Sequence, residues 1–181
     1  MDHFIYHNGI LHAEKVPIPD IAAKVGTPFY VYSTATLERH FRLFEDALKG
    51  FDHLVCYAMK AASNQAIIKT LAALGAGMDV VSGGEYQRAI DAGVPTQRII
   101  FSGVGKTRAE MEMIVRGGIR HVNIESEAEM LLLDEVAREN SQKIPIAIRI
   151  NPGVDAKTHS KIATGKSENK FGIPISKARE A

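Results

Sequence analysis

The sequence has a single cysteine, Cys56, and no tryptophan among its 181 residues. One cysteine excludes a disulfide within the chain and a zinc site built from several cysteines. The seven histidines are scattered along the sequence without the spacing that metal ligands share. We therefore expect no metal centre.

An excess of charge of one sign and long hydrophobic runs are also missing. Lys and Arg number 22 against 21 Asp and Glu, which gives a formal net charge of +1. This balance does not indicate nucleic acid or an anionic membrane surface as a partner. The longest apolar stretches, such as residues 144–148, are far shorter than a bilayer span, and the first residues do not resemble a signal peptide. We expect a cytoplasmic protein that binds neither nucleic acid nor membrane.

The first part of the chain has the pattern of a β-hairpin. Apolar and polar residues alternate on both sides of Asn8-Gly9, a pair that favours a two-residue turn. Further on, we expect Asp20 to cap a short helix, residues 29–32 to form a brief strand, and a longer helix to begin near Ser33.

From residue 54 onward, short apolar runs recur at regular intervals. They comprise residues 54–58, 78–81, 99–101, 122–124 and 146–150. The segments between the runs have the apolar spacing of amphipathic helices. Alternating strands and helices of this kind form a parallel sheet that is buried on both faces, so the fold class is α/β. The spacing does not distinguish an open doubly wound sheet from a closed β/α barrel.

Polar residues follow the apolar runs, where the strands are expected to end. They are Lys60, Asp79, Ser82, Ser102, Glu125, Ser126, Arg149 and Asn151. In both architectures ligands bind beyond the carboxyl ends of the strands. Loops are also polar simply because water surrounds them, so the pattern by itself selects no single residue.

Lys60 stands out among these residues because it lies near the end of the string LVCYAMKAA, whose other members are small or apolar. A desolvated lysine favours the neutral amine, which is the form that attacks an aldehyde to give a Schiff base. The alternative is a lysine whose methylene groups line the strand end while its ammonium group reaches water.

Three other motifs give weaker indications. Residues 103–107, GVGKT, end like a phosphate-binding P-loop, but Ile100 stands where that motif requires a glycine. The pair Gly75 and Gly77 precedes an apolar run, although a dinucleotide-binding motif follows a strand. No G-x-S-x-G string of a hydrolase occurs. Nucleotide hydrolysis, dinucleotide binding and nucleophilic hydrolysis are therefore disfavoured.

Six strings in one order resemble a known family. They are GTPFYVYS, CYAMKAASNQAI, GMDVVSGGE, FSGVGKT, RINPGVD and HSKIATGKSENKFGI. Together they resemble the fold-type III, alanine-racemase-like decarboxylases that use pyridoxal 5'-phosphate, and the resemblance covers essentially the whole chain. The opening FIYHNGILHAEKV and the string NKFGI are most similar to members that convert meso-2,6-diaminopimelate to L-lysine and carbon dioxide. Ala62 departs from the asparagine of many members.

The resemblance implies the amino-terminal part of an alanine-racemase-like, TIM-type β/α barrel. About five βα units would occupy residues 28–181, after a hairpin segment, residues 1–27, that packs with a carboxy-terminal β domain in the family. Lys60 would carry pyridoxal 5'-phosphate as a Schiff base, with Asp79 and Arg149 near the cofactor. The substrate would be a small amino acid, and the protein a homodimer with active sites at the subunit interface.

Some alternatives stay open within this resemblance. A related decarboxylase would act on arginine, ornithine or carboxynorspermidine, and a noncatalytic paralogue would bind the cofactor without turnover. Because family members are much longer, we expect the isolated 181-residue chain to bind the cofactor weakly and to be inactive. Glu85 is either a further site residue or a residue that simply favours the positive end of its helix, and no role follows for His159.

Overall fold

The computed structural model describes residues 2–152 and 172–175. The chain divides into two compact units, one formed by Met1–Val55 with Asn64–Ala76 and the other by Cys56–Ser63 with Gly77–Ala181. Each unit contains a β-sheet of its own. The packing of residues 1–27 against a further domain stays a prediction.

The first unit begins with an antiparallel hairpin. Strand β1, Phe4–His7, pairs with β2, Ile10–Ala13, and the short β3, Val16–Pro17, pairs with the other side of β2. Asn8 and Gly9 join β1 to β2 with φ of 49° and 77°. A type I′ turn requires positive φ at both central residues, which Asn-Gly tolerates well. The predicted hairpin is confirmed, whereas β3 is too short to produce an alternating pattern.

Three helices follow in this unit: α1, Ile18–Val25; α2, Thr34–Ala47; and α3, Gln65–Ala73. The hydroxyl of Ser33 accepts a hydrogen bond from the backbone N–H of Thr36 at 3.1 Å. This contact satisfies a donor of the first helical turn, as an N-cap residue does. The predicted start of α2 at Ser33 is therefore confirmed.

Two local predictions in this unit are wrong. Asp20 does not cap α1, because the helix has already begun at Ile18 and Asp20 lies in its first turn. Residues 29–32 form no strand within the described part of the chain, and Tyr30 is 91% exposed. Aromatic residues favour strands by packing on a half-buried pleated surface, and this segment offers no such surface.

The second unit contains a parallel sheet of five strands in the order β4-β5-β6-β7-β8. The strands are Cys56–Ala58, Gly77–Val80, Ile99–Phe101, His121–Ile124 and Ile146–Ile148. A doubly wound sheet reverses its strand order at a switch point. Strands that pair strictly in chain order are instead the arrangement of a β/α barrel. The α/β prediction is confirmed, and the strand order favours the barrel.

The fifth apolar run is divided at Arg149. Its backbone N–H donates to the carbonyl of Ile124 at 3.0 Å, and its carbonyl accepts from the N–H of Ile173 at 2.7 Å. Strand β9, Ile150–Asn151, then pairs in parallel with β10, Ile173–Pro174. Arg149 therefore lies where the chain leaves the five-stranded sheet.

The two faces of this sheet differ in polarity. Val80, Phe101 and Val122 are partners in register across β5, β6 and β7 and are completely buried. Because side chains alternate along a strand, residues two positions away share their face, and Met78 and Ile124 are equally buried. We call this the helix face, since α4, Gly83–Asp91, and α6, Glu127–Glu139, contact these strands.

The intervening residues form what we call the open face. Its members are Ala58, Asp79, Ile100, His121, Asn123 and Ala147. They are half-buried except for Ala147, which is exposed, and several are polar. The same alternation that builds the core therefore places polar groups on one side of the sheet.

Glu110 connects the beginnings of two helices, α4 and α5, the latter formed by Arg108–Gly117. Its Oε1 accepts from the N–H of Gly83 at 2.7 Å, and its Oε2 accepts from the N–H of Thr107 at 2.9 Å. Thr107 in turn caps α5 in a capping box with Glu110. Burial tends to raise the pKa of Glu110, but these hydrogen bonds outweigh it and hold the pKa below 4.5.

We expect Glu110→Gln to destabilise the protein by about 1–2 kcal/mol at neutral pH, because it weakens hydrogen bonds to a charged acceptor. The lowered pKa makes this contribution present above the unfolded pKa and lost as pH falls through the folded pKa. The difference in the free energy of unfolding should therefore shrink below pH about 4.5. Urea unfolding between pH 7 and pH 3 measures it, with exposed Glu127→Gln in α6 as the control. A difference that does not change with pH would contradict the assignment.

Gly117 closes α5 where a side chain has no room. An added Cβ would lie 2.5 Å from the hydroxyl oxygen of Tyr86, a buried residue whose hydroxyl donates to the carbonyl of Gly118 at 2.9 Å. Glycine is normally the weaker choice in a helix. Here its absence of a side chain permits the close approach of Tyr86.

Gly117→Ala should therefore destabilise the protein by about 1–3 kcal/mol, although the same change in an open helix is stabilising. Removing the hydroxyl with Tyr86→Phe leaves the ring carbon Cζ as the nearest atom, at 3.4 Å from the new Cβ. A double-mutant cycle of unfolding free energies measures the coupling between the two changes. Additive effects would mean that the hydroxyl is not the obstacle.

Candidate functional site

Lys60 lies just beyond the end of β4. It lies in the short 3-10 turn Met59–Ala61, and Ala58, two residues earlier, is the register partner of Asp79 on β5. Met59 is completely buried, whereas Lys60 is exposed. The expectation that apolar neighbours bury Lys60 is therefore wrong, because the turn gives the buried position to Met59. Its predicted place at a strand end, beside the strand of Asp79, is what the structure has.

Asp79 belongs to a hydrogen-bonded chain across three adjacent strands, which we call the polar row. The hydroxyl of Ser102 donates to Asp79 Oδ1 at 2.5 Å, and Asn123 Nδ2 donates to Ser102 Oγ at 2.8 Å. Asp79 does not cap a helix, since Ser82 caps α4. Sequence reasoning had placed Asp79 and Ser102 at the strand ends. It missed Asn123, although its position between Val122 and Ile124 in a period-two pattern marks it as facing away from the core.

Arg149 lies in an ion pair at the end of β8. Its Nη1 is 3.0 Å from both carboxylate oxygens of Glu125. Glu125 is buried, and its Oε1 also accepts from the N–H of Gly103 at 3.2 Å. A buried carboxylate needs such partners because desolvation of an unpaired charge is costly. The guanidinium group of Arg149 is thus held in place, while its side chain stays 43% exposed.

Lys106, from the GVGKT string, points into the protein. Only 1% of its side chain is exposed. The ammonium group donates to the carbonyls of Gly103 and Asn123, each at 2.7 Å, and to Glu129 Oε1 at 2.5 Å. These acceptors match the three donors of an ammonium group. Lys106 therefore serves the protein's own loops and does not offer a phosphate-binding cation, in agreement with the rejection of a P-loop.

Other residues of the sequence-based set support helices. Ser82 caps α4 and Ser126 caps α6, since each hydroxyl accepts from a backbone N–H of the first turn. Glu85 Oε2 accepts from the N–H of Val81 at 2.9 Å, just before the Ser82 cap of α4. Asn151 lies in β9. His159 lies outside the described residues.

Two groups on or beside the open face are biased toward their neutral forms. Burial lowers the pKa of His121, and the charge of nearby Arg120 lowers it further. Burial also raises the pKa of the Cys56 thiol, and the charge of Asp79 adds to this shift. Cys56 is therefore a poor nucleophile at neutral pH, because the thiolate is the reactive form.

Neither a metal-binding cluster nor a membrane-spanning helix is found in the part of the chain that the structure describes. Residues 2–152 and 172–175 contain no group of three or more His, Cys, Asp or Glu side chains that could hold a metal ion. None of the helices in these ranges is long and apolar enough to cross a membrane.

The residues present fit the pyridoxal phosphate implied by the resemblance. An exposed primary amine on Lys60 is accessible to an aldehyde, and a Schiff base needs such an amine. Asp79 on the neighbouring strand is an acceptor already oriented by Ser102. Arg149 supplies a partly exposed cation at the end of β8. Lys60 and Arg149 follow the ends of β4 and β8, and Asp79 lies near the end of β5. All three therefore lie toward the carboxyl ends of the strands, where ligands of β/α barrels bind.

Curated decarboxylases of known name are similar in sequence to this chain. Over 99% of the chain, the sequence is 50% identical to the diaminopimelate decarboxylases of Vibrio cholerae and Pseudomonas fluorescens. The chain spans 43% and 44% of the length of these relatives.

Solved structures agree with the sequence relatives. The crystal structure of diaminopimelate decarboxylase from Helicobacter pylori complexed with L-lysine has a TM-score of 0.86 and 43% identity, over 90% of this chain and 41% of that one. The enzyme from M. jannaschi has a TM-score of 0.86 and 38% identity, over 98% of this chain and 42% of that one. The barrel expectation is thereby confirmed.

A family model described as "Pyridoxal-dependent decarboxylase, pyridoxal binding domain" matches residues 34–181, which include Lys60, Asp79 and Arg149. This match confirms the expected family and, at the level of the family, the expected cofactor. The chain belongs to the pyridoxal-dependent decarboxylases, in the part of them that binds pyridoxal.

Proposed function

We propose that this chain takes part in the pyridoxal-phosphate-dependent decarboxylation of meso-2,6-diaminopimelate to L-lysine and carbon dioxide. The observation that carries the proposal is 50% identity to diaminopimelate decarboxylases over 99% of the chain. The related Helicobacter pylori structure is described as complexed with L-lysine, the product of that reaction. The substrate would be recognised through its amino-acid groups.

Lys60 is the residue we propose to bind the cofactor covalently. When bound, pyridoxal phosphate accepts the electron pair that remains on the α-carbon as carbon dioxide departs. The exposed amine of Lys60 lies at the end of β4, where an aldehyde can reach it. When it is not bound to the cofactor, Lys60 Nζ would be a group that can accept or donate a proton.

Asp79 and Arg149 are proposed to orient the groups around Lys60. Asp79 lies on the adjacent strand, and its Oδ1 accepts a hydrogen bond from Ser102, which leaves the other oxygen available for the cofactor or for the Lys60 ammonium group. Arg149 is fixed by both oxygens of Glu125 and can donate hydrogen bonds to an acceptor on the cofactor. Asp79 would thus contribute a carboxylate from the strand next to that of Lys60, and Arg149 a cation from the end of β8.

The assembly and location of the protein are part of the same proposal. The family resemblance supports a cytoplasmic homodimer whose active sites lie at the subunit interface. It also supports packing of residues 1–27 with a carboxy-terminal β domain.

The proposed attachment site predicts where the cofactor can be trapped. Incubation of the protein with pyridoxal phosphate, followed by borohydride reduction and peptide mass mapping, should label Lys60. Lys60→Ala should abolish the label, whereas Lys69→Ala, which removes another exposed lysine, should leave it unchanged. Labelling that persists in the Lys60→Ala protein at the same level would refute the assignment.

The proposed reaction predicts the substrate preference of the full-length protein. It should release carbon dioxide from meso-2,6-diaminopimelate and form L-lysine, with much lower activity on ornithine and arginine. Lys60→Ala should lower kcat by at least about 10³-fold, because removing a covalent catalyst removes a whole reaction route. Product analysis and carbon dioxide release measure both effects. Faster turnover of ornithine or arginine would assign the protein to a related decarboxylase.

A further inference from the structure

We propose that Lys106 is a positioning residue that holds both Asp79 and Arg149 in place from beneath the open face. The inference deepens the proposed function, because it assumes that these two residues serve the cofactor site. Lys106 itself is buried, and its ammonium group donates to Gly103, Asn123 and Glu129, not to Asp79 or Arg149. It acts through the main chain of two neighbouring residues, Gly103 and Asn123.

The ammonium group of Lys106 connects three segments of the second unit. Its acceptors are Gly103 in the loop after β6, Asn123 in β7 and Glu129 in α6. A buried ammonium group is costly unless its donors are all satisfied. Displacement of any of the three segments would leave an unsatisfied charge in the interior. Lys106 therefore restrains the loops around it.

One path leads from Lys106 to Arg149. The carbonyl of Gly103 accepts from Lys106, and the N–H of Gly103 donates to Glu125 Oε1 at 3.2 Å. Glu129, the partner of Lys106, also accepts from the N–H of Glu125 at 3.3 Å through its other oxygen. Glu125 is thus fixed at its side chain and at its backbone, and it holds the guanidinium group of Arg149.

A second path leads from Lys106 to Asp79. The carbonyl of Asn123 accepts from Lys106, while the side-chain amide of the same residue donates to Ser102. Ser102 donates to Asp79 Oδ1. The position of Asn123 in β7 therefore sets the end of the polar row. Both chains of hydrogen bonds therefore begin at the buried ammonium group of Lys106.

The test compares Lys106→Met with Gly117→Ala in the full-length protein loaded with pyridoxal phosphate. Gly117 lies at the far end of α5 from Lys106 and lies on neither path, so its substitution lowers stability without altering the site. Circular dichroism is used to choose conditions in which both variants are folded. The readouts are kcat and KM for meso-2,6-diaminopimelate and the dissociation constant of pyridoxal phosphate from equilibrium dialysis.

We expect Lys106→Met to lower kcat by about 10- to 100-fold, because displacement of a positioned group by about 1 Å costs up to about 10²-fold. We also expect Lys106→Met to bind pyridoxal phosphate more weakly. Gly117→Ala should stay within about 2-fold of wild type in kcat and in the dissociation constant of pyridoxal phosphate. If Lys106→Met does not fold, Glu129→Ala decides by the same criterion, since it removes the carboxylate that joins Lys106 to the backbone N–H of Glu125.

Equal kcat and equal cofactor affinity for the deciding variant and Gly117→Ala would overturn the proposal, because Lys106 would then contribute to stability alone. The outcome is separable from failure of the proposed function. If the wild-type protein does not decarboxylate meso-2,6-diaminopimelate, the proposed function fails. The dissociation constant of pyridoxal phosphate then still decides whether Lys106 positions the cofactor site.

Discussion

The alternation of side chains along five parallel strands is the constraint on which both the core and the candidate site depend. Because β4 to β8 pair in chain order, residues that are partners in register share a face across neighbouring strands, and residues two positions apart share it within a strand. Val80, Phe101 and Val122 thereby pack toward the helices, while Asp79 and Asn123 face the other way. A slip of one residue in any strand would exchange these faces. The packing of the core therefore specifies the place of the polar groups.

The buried ion pairs near the carboxyl ends of the strands fix the arrangement of the loops more than they stabilise the fold. Lys106 with Glu129 and Arg149 with Glu125 each include a buried member that has several hydrogen bonds. The attraction within such a pair roughly offsets the cost of desolvating its two charges, so the pair adds little to the free energy of folding. Removing one partner is nevertheless costly, because the other charge then stays buried and uncompensated. Exposed pairs such as Lys49 with Asp46 lack this constraint. The buried pairs thus restrict the loops to one arrangement.

Local pattern predicted the elements well and the long-range contacts poorly. The five apolar runs became strands to within two residues, and Ser33 and Asn8-Gly9 marked a helix start and a turn through their own chemistry. The prediction of a strand at residues 29–32 was wrong because a strand also needs a neighbouring strand to pair with, and a local pattern does not indicate one. The contacts of Lys106 with Asn123 and Glu129 join residues 17 and 23 positions apart. No periodicity encodes such a contact.

Lys60 and Lys106 differ in a way that revises the sequence argument for imine chemistry. The argument favoured burial as the cause of reactivity, yet the candidate amine Lys60 is exposed and Lys106 is the buried lysine. An ammonium group whose three donors are bound to protein acceptors has no free electron pair and no route to an aldehyde. A lysine that binds a cofactor must first be accessible to it. Lys60 therefore differs from Lys106 in that it is exposed at a strand end and has Asp79 on the next strand, not in an apolar neighbourhood that buries it.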